Sequence, residues 1–476
     1  MLKADRSKPY DERMNVVVVV SDTLRTAFLG CYGNQWINTP NIDAFAADGV
    51  LFENAHPEAL PTIPVRRSMH SGRRVFPFAT YEPLPWDNVY IPGWQPMDRD
   101  ETTIAETLVS AGYHTGFYAD VPHYFVPGMN FTRGFLQWEF VRGQAEDRYR
   151  SSARTDERLI DRYTPVAAAR APFHLANVHP SGPEEEWPTA RTFRSAIRFL
   201  QENRDNEPFY LYVDTFSPHE TWEAPLHYYE LYGNLDDREP IPIGMPYAPI
   251  SEHPEVEAYL PSLKANYAGL VSMVDHWFGE LLSTLDTLKL RDSTVVVFAS
   301  DHGTNFGDNA EGVTGKPEKY LYPGTMDVPL IVRKPGGETG VRRNELVYLT
   351  DIQATIMSVA DQSGAIELDG RDLAPLVRGS GNWSARDYLT CRYGNHVWYK
   401  DGEIYFYSDV GFSEPRLYDR GTDPECSINI ASTAKDLVNR ARDAILHDAG
   451  GQLVNYVRRD MTDAIGRPVF DPTETD

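Results

Sequence analysis

Four side chains with metal-binding or proton-transfer chemistry follow runs of apolar residues: Asp22, His219, Asp301 and His302. Two aspartates and a histidine at one site suit a divalent cation, because carboxylate oxygens neutralise its charge and imidazole adds a nitrogen donor. Each alone is also what a helix cap or a turn looks like; four at run ends together point to a site. A second element is Pro61 to Arg74, with Arg66, Arg67, Arg73 and Arg74 crowded into a strongly acidic chain. Pro64 suits the first turn of a helix, placing Thr62 at its N-terminus. There, free amides and the helix dipole stabilise negative charge, and Arg66 one turn on is placed to fork onto a bound anion. An exposed basic helix capped by Thr62 is the plainer alternative.

The elements that must position these residues are legible as runs. Val16 to Val20 leads into Ser21-Asp22, Phe209 to Val213 into Asp214 to His219, Thr294 to Ala299 into Ser300 to Gly303, and Val328 to Val332 into Arg333. Apolar runs without alternation fit strands buried on both faces, as in a helix-covered parallel sheet. Helices are expected from Pro40 to about Gly49 with Thr39 as N-cap, over Thr103 to Ala111, and from Leu263 to Leu288. A possible strand covers Tyr113 to Ala119. The alternation predicts an α/β fold, a doubly wound, mostly parallel sheet flanked by helices. In such sheets ligands bind beyond the carboxyl ends of the strands. After Leu376 come four short strands, at Tyr388 to Arg392, His396 to Tyr399, Glu403 to Tyr407 and Arg416 to Tyr418, and a helix at Ala434 to His447. These predict a small antiparallel sheet with a helix, dividing the chain into a catalytic domain, 1–376, and a C-terminal α+β subdomain, 377–476. Glu220 to Pro254 is expected as a long structured loop over one end of the large sheet.

Composition narrows the chemistry. The 476 residues are 41% hydrophobic, enough for a sizeable core, and carry a net charge of −24. So acidic a surface repels nucleic acid, and any anion must meet a local cluster of cations. No apolar run approaches the ~18 residues of a membrane helix, so no membrane partner is expected. The polar stretch Met1 to Arg13 reads as no signal peptide, and Cys31, Cys391 and Cys426 read as reduced thiols. Together these predict a cytoplasmic protein, whether monomer or homo-oligomer.

In chain order, Val20 to Arg25, Gly30 to Asn34, Thr39 to Asp43, Thr62-x-Pro64-x-Arg66 with Gly72, Ser300 to Gly303, Asp327 to Val332, and Leu417 to Asp419 with Thr422 to Glu425 resemble sulfatases of the alkaline phosphatase superfamily. The resemblance covers about Met14 to Asn429. It implies an ester hydrolase with one divalent metal and a small-molecule anionic ester as substrate. Three departures set this chain apart. The position that sulfatases convert from Cys or Ser to formylglycine is Thr62, whose methylated Cβ cannot become an aldehyde. The usual aspartate pair is Asp22-Thr23, and His302 stands where many sulfatases have asparagine. The last two changes resemble the phosphonate monoester hydrolase branch, and imidazole shifts metal preference from Ca2+ toward Mn2+ or Zn2+. The implied metal ligands are Asp22, Thr62, Asp301 and His302. Thr62 is the implied nucleophile, Arg66 a catalytic cation and His219 the general acid facing the leaving group. Lys316 and Lys319 are both available as the family lysine, Gly315-Lys316 resembling the family more closely and Lys319 being placed to bind substrate, and His123 is placed to line the pocket. His70 reads as structural, while Arg25 and Arg73 read equally as site-ordering or as salt-bridged scaffold. The expected activity is hydrolysis of a phosphate or phosphonate mono- or diester through Thr62. A sulfatase working without formylglycine and an inactive sulfatase-like binding protein are the alternatives.

Overall fold

A computed structural model describes residues 13–77, 91–145, 147–150, 157–168 and 171–455. The readings made for residues 1–12 and 456–476 fall outside these. The strands in the first part of the chain are β1 (Asn15–Ser21), β2 (Val50–His56), β3 (Ala59–Leu60), β4 (His114–Ala119), β5 (Gln137–Phe140) and β6 (Phe209–Thr215). They are followed by β7 (Thr294–Ser300), β8 (Asn305–Phe306), β9 (Thr314–Gly315), β10 (Val328–Arg333), β11 (Val341–Arg343) and β12 (Val347–Tyr348). The large sheet runs β11-β2-β10-β7-β1-β6-β4-β5, with β12 also on β2. Only β10 opposes its neighbours; the other pairings are parallel, so the sheet is mixed but mostly parallel.

The unbroken valine run follows from burial on both faces. Val16, Val18 and Val20 join one core and Val17 and Val19 the other. The second core is roofed by the helix Val256–Thr287, through Leu263, Tyr267, Leu270, Val274 and Phe278. This helix starts seven residues before the expected Leu263 and takes Pro261 in its second turn. The lost N–H bond there is tolerated near the end of a 32-residue helix whose first residue, Val256, is itself buried. At Pro40–Ala47, named α1, Thr39 makes no side-chain cap; its hydroxyl instead accepts from the Gly30 N–H at 3.0 Å, and the helix starts at Pro40 with Asp275 of the long helix accepting from the Asn41 and Ile42 amides at 3.3 and 2.7 Å.

The helix Thr62–Ser71, α2, follows β3 directly. In the small sheet, β13 (Tyr388–Tyr393), β14 (His396–Asp401), β15 (Ile404–Asp409) and β16 (Arg416–Asp419) pair antiparallel, and the helix Lys435–Asp448 covers one face through Ala441 and Ile445. This sheet takes a fifth strand from the N-terminal half: β3 lies parallel to β13, with Ala59 opposite Arg392 and Leu60 opposite Tyr393. Two residues before Thr62 are therefore held by the C-terminal sheet, which helps set the start of α2.

Candidate functional site

β1 and β7 are parallel neighbours with Ser21 opposite Ser300. The next residue of each strand therefore leaves the sheet at the same edge, and these residues are Asp22 and Asp301. With His302 they present ligand atoms all within 4.8 Å of one another, and all three are fully buried. Asp301 Oδ1 accepts backbone N–H bonds from Thr23 at 3.0 Å and His302 at 2.8 Å. Thr23 stands where an aspartate pair would continue, at φ 63°, a left-handed conformation costly for a β-branched residue. Its hydroxyl donates to Asp22 Oδ1 at 2.6 Å, and Tyr267 donates to its carbonyl at 2.7 Å. The substitution thus turns a charged acceptor into a neutral donor that orients Asp22.

His302 Nδ1 lies 3.0 Å from the Gly303 carbonyl, which can only accept, so the proton sits on Nδ1. The lone pair of Nε2 then faces Thr62 Oγ1 at 3.4 Å and Asp301 Oδ2 at 3.4 Å. Burial pushes the imidazole down to about 4, with Asp301 opposing only in part, so the ring is neutral. Burial and next the Asp301 charge push Asp22 well above the usual carboxylate range. Asp301 itself is pushed up by burial but held below that range by Arg66 and then His302. Asp22 Oδ2 makes no hydrogen bond despite its burial. The Asp22 carboxylate, whose Oδ2 has only the Arg66 guanidinium beside it, a second carboxylate, a neutral imidazole lone pair and the Thr62 hydroxyl converge, a donor set that fits a divalent cation.

Arg66, read from sequence as a catalytic cation, has its contacts on protein acceptors in this structure. Its Nε and Nη2 donate to Asp214 at 2.9 and 2.8 Å, Nη1 to Asp301 and, at 3.4 Å, to the Thr62 carbonyl, and Nη2 lies 3.0 Å from Asp22 Oδ2. With its donors directed at three buried carboxylates and a carbonyl, the guanidinium is their counter-ion and has no fork to offer a bound anion. Asp214, at the end of β6, also accepts from the Tyr124 hydroxyl at 2.6 Å. Neither partner was singled out from sequence. The available signal was a carboxylate at the end of an apolar strand, in register with Val20. Thr62 is the first residue of α2, behind Pro61 as N-cap, and makes no capping bond.

Across the site, Lys316 Nζ lies 3.0 Å from His219 Nε2, 3.1 Å from Glu220 Oε2 and 3.5 Å from the Thr23 hydroxyl. Lys319 lies elsewhere: it is half-exposed and pairs with Glu414 at 3.2 Å. Of the two lysines, only Lys316, directly after β9, turns inward. His219 stacks on Phe216 with centroids 4.0 Å apart, and His123 meets the other partners of that aromatic wall, Trp94 at 5.1 Å and Phe216 at 5.8 Å. Burial, then Arg66 and Lys316, push His123 down to about 4. His70 sits among the rings of Phe117, Tyr124, Phe131, Phe135 and Tyr212, away from any ion partner. Arg25 pairs with Asp308 at 2.9 Å, and Arg73 with Glu367 and Asp369 at 2.6 and 3.1 Å. The three cysteines are free thiols, and no helix among the described residues is long and apolar enough to cross a membrane.

The mostly parallel sheet thus carries carboxylates, an imidazole and a helix-borne hydroxyl together at its carboxyl edge. Residues 14–362 match the Sulfatase family model, and the chain belongs to that family. An arylsulfatase of Clostridium perfringens is 26% identical, covering 93% of this chain and 95% of its own. Human iduronate 2-sulfatase is 28% identical over 68% of this chain and 60% of its own. Among solved structures, the phosphonate monoester hydrolase of Agrobacterium radiobacter superposes with a TM-score of 0.70 at 20% identity, covering 92% of this chain and 96% of its own. That likeness is one of fold.

Proposed function

We propose that this protein hydrolyses a monoanionic phosphorus ester, a phosphonate monoester or phosphate diester, through Thr62 with one divalent metal ion. The observation that carries the reading is Thr62 Oγ1, at the first residue of α2 and 3.4 Å from the free nitrogen of His302. Asp22, Asp301, His302 and Thr62 would hold the ion, and the nitrogen donor favours Mn2+ or Zn2+ over Ca2+. Bound there, it would lower the pKa of the Thr62 hydroxyl and withdraw charge from the ester.

Thr62, deprotonated before substrate binds, attacks the phosphorus through its oxygen, the alcohol leaves on the side of His219 and Lys316, and water then cleaves the ester on Thr62, releasing Thr62 deprotonated again. Phosphorus suits this route because water can attack it in line. A threonine sulfate would need attack at sulfur, since a threonine Cβ holds no second hydroxyl from which sulfate could be expelled. Charge selects the form of the ester. Asp22, Asp214, Asp301 and Glu220 face Arg66 and Lys316, leaving two formal negative charges for one divalent ion to balance. With the ion bound that count is neutral, Lys316 already being set against Glu220, and a site with no surplus positive charge fits one negative charge better than two.

A sulfate monoester carries the same single charge, and the arylsulfatase likeness over nearly the whole chain favours it as the second reading. The test is a panel of 4-nitrophenyl esters of phenylphosphonate, phosphate and sulfate, with bis(4-nitrophenyl) phosphate, run with Mn2+, Zn2+ and Ca2+. The best phosphorus monoanion should exceed the sulfate by at least ~10-fold in kcat/KM, a barrier difference of ~1.4 kcal/mol. Faster sulfate turnover overturns the reading.

A further inference from the structure

Glu220 follows His219 in sequence and closes a ring of contacts on the side of the site opposite Arg66. His219 Nδ1 lies 2.8 Å from the Glu220 carbonyl, which can only accept, so Nδ1 carries the ring proton. Nε2 must then accept, and the atom facing it is Lys316 Nζ at 3.0 Å. A neutral His219 so placed has no proton of its own to give a leaving group. Glu220 Oε2 accepts from Lys316 at 3.1 Å, and Oε1 accepts from the Tyr247 hydroxyl at 2.7 Å.

The fold builds this arrangement from both sides. The Tyr247 ring lies under Lys316 Nζ at 5.3 Å to the centroid. Its segment is stitched to β9: Thr314 donates its hydroxyl to the Pro246 carbonyl at 2.7 Å and its N–H to the Ala248 carbonyl at 2.9 Å. Gly315, at φ +70°, has no room for a side chain, since a Cβ would stand 2.1 Å from the Tyr247 ring. Burial alone would raise Glu220, but Lys316 and then His219 outweigh it and bring the carboxyl down to about 2. Burial, then Lys316, push His219 down to about 3. The carboxylate is therefore a fixed charge and the imidazole a fixed acceptor.

We propose that Glu220 is a positioning residue that holds Lys316 against His219 Nε2, so that lysine and histidine together carry the proton taken by the leaving oxygen. This rests on the ester-hydrolase reading of the same site. As the bond from phosphorus to the leaving oxygen breaks, its electron pair stays on that oxygen and takes one proton from the pair. Lysine and histidine are left one positive charge short. The water that later cleaves the ester on Thr62 gives its hydroxyl to phosphorus and its proton back to the pair.

The experiment compares the phenyl and 4-nitrophenyl esters of phenylphosphonate on wild type and Glu220→Gln, which keeps the shape and removes the charge. Phenolate needs a proton to leave and nitrophenolate scarcely does, and general acids are worth about 10²–10⁴ in rate. Glu220→Gln should lose at least about 10-fold in kcat/KM on the phenyl ester and less than about 3-fold on the nitrophenyl ester. Tyr247→Phe, which removes the bond to Glu220 Oε1, should show the same asymmetry with a smaller loss, and decides the matter if Glu220→Gln fails to fold. Equal losses on both esters in an active background overturn the role of Glu220 alone. A wild type inactive on every phosphorus ester overturns the phosphorus-ester reading and this role with it.

Discussion

Asp214→Asn tests whether Arg66 is a counter-ion within the protein or a clamp for substrate. Asp214 is fully buried and accepts two bonds from Arg66, at 2.9 and 2.8 Å, and one from Tyr124 at 2.6 Å. Asparagine keeps the outline but offers one acceptor and turns an N–H toward donors. A hydrogen bond to a charged group is worth ~1.5–3 kcal/mol, and breaking a buried ion pair by removing one partner costs ~3–5 kcal/mol. Asp22 and Asp301 stay beside Arg66, so the lower end applies, about 3 kcal/mol. Unfolding entropy of ~2.1 cal/mol/K per residue over 476 residues gives about 1 kcal/mol per degree. The melting temperature of metal-free protein should thus fall by about 3 °C. Activity should fall through kcat, at least ~10-fold, because Arg66 ties the Thr62 carbonyl to Asp301 and small displacements of a reacting atom are costly. KM should change less than ~2-fold, since in the wild type the guanidinium's donors are directed at protein acceptors and the ester gains no hydrogen bond from it that the variant could lose. Calorimetry in EDTA and steady-state kinetics read both. An unchanged melting temperature, or a loss confined to KM, would refute the counter-ion assignment.

Thr62→Ala should remove turnover and leave the melting temperature within about 1 °C, because Thr62 makes no cap bond worth the usual ~1 kcal/mol; Thr62→Ser should keep part of the activity. Asp301→Ala should abolish both metal binding, read by calorimetric titration with Mn2+, and turnover, and EDTA should silence the wild type reversibly. Lys316→Ala should cost at least ~100-fold in kcat/KM, whereas Lys319→Ala should leave kinetics within about 2-fold, as its partner Glu414 is on the surface. Intact mass should show Thr62 unoxidised, and any trapped adduct should add a phosphoryl mass; an oxidised Thr62 would argue for different chemistry.

What the sequence alone determined is what depends on local pattern. An unbroken run such as Val16 to Val20 can only be buried on both faces, and the polar residue that ends it must lie at the sheet edge. Asp22, Asp301 and His302 were therefore legible as neighbours although nearly 280 positions separate them. The order of motifs from Val20 to Glu425 carried the family as well, since it runs through strand ends of the large sheet, the start of α2 and β16 of the small sheet. Tertiary structure decided everything set by direction and competition. Whether Arg66 faces an anion or a carboxylate depends on which charges share its buried pocket, and Asp214 comes from another strand. Spacing left both Lys316 and Lys319 available although Gly315-Lys316 resembled the family more closely, and the path of the chain after β9 turns Lys316 inward. The pairing of Ala59–Leu60 with β13, which bridges the expected division at residue 377, has no signature in two residues. Glu220 looked like a loop residue because its role is a ring of contacts to Lys316 and Tyr247, and such a ring exists only once the chain has closed it.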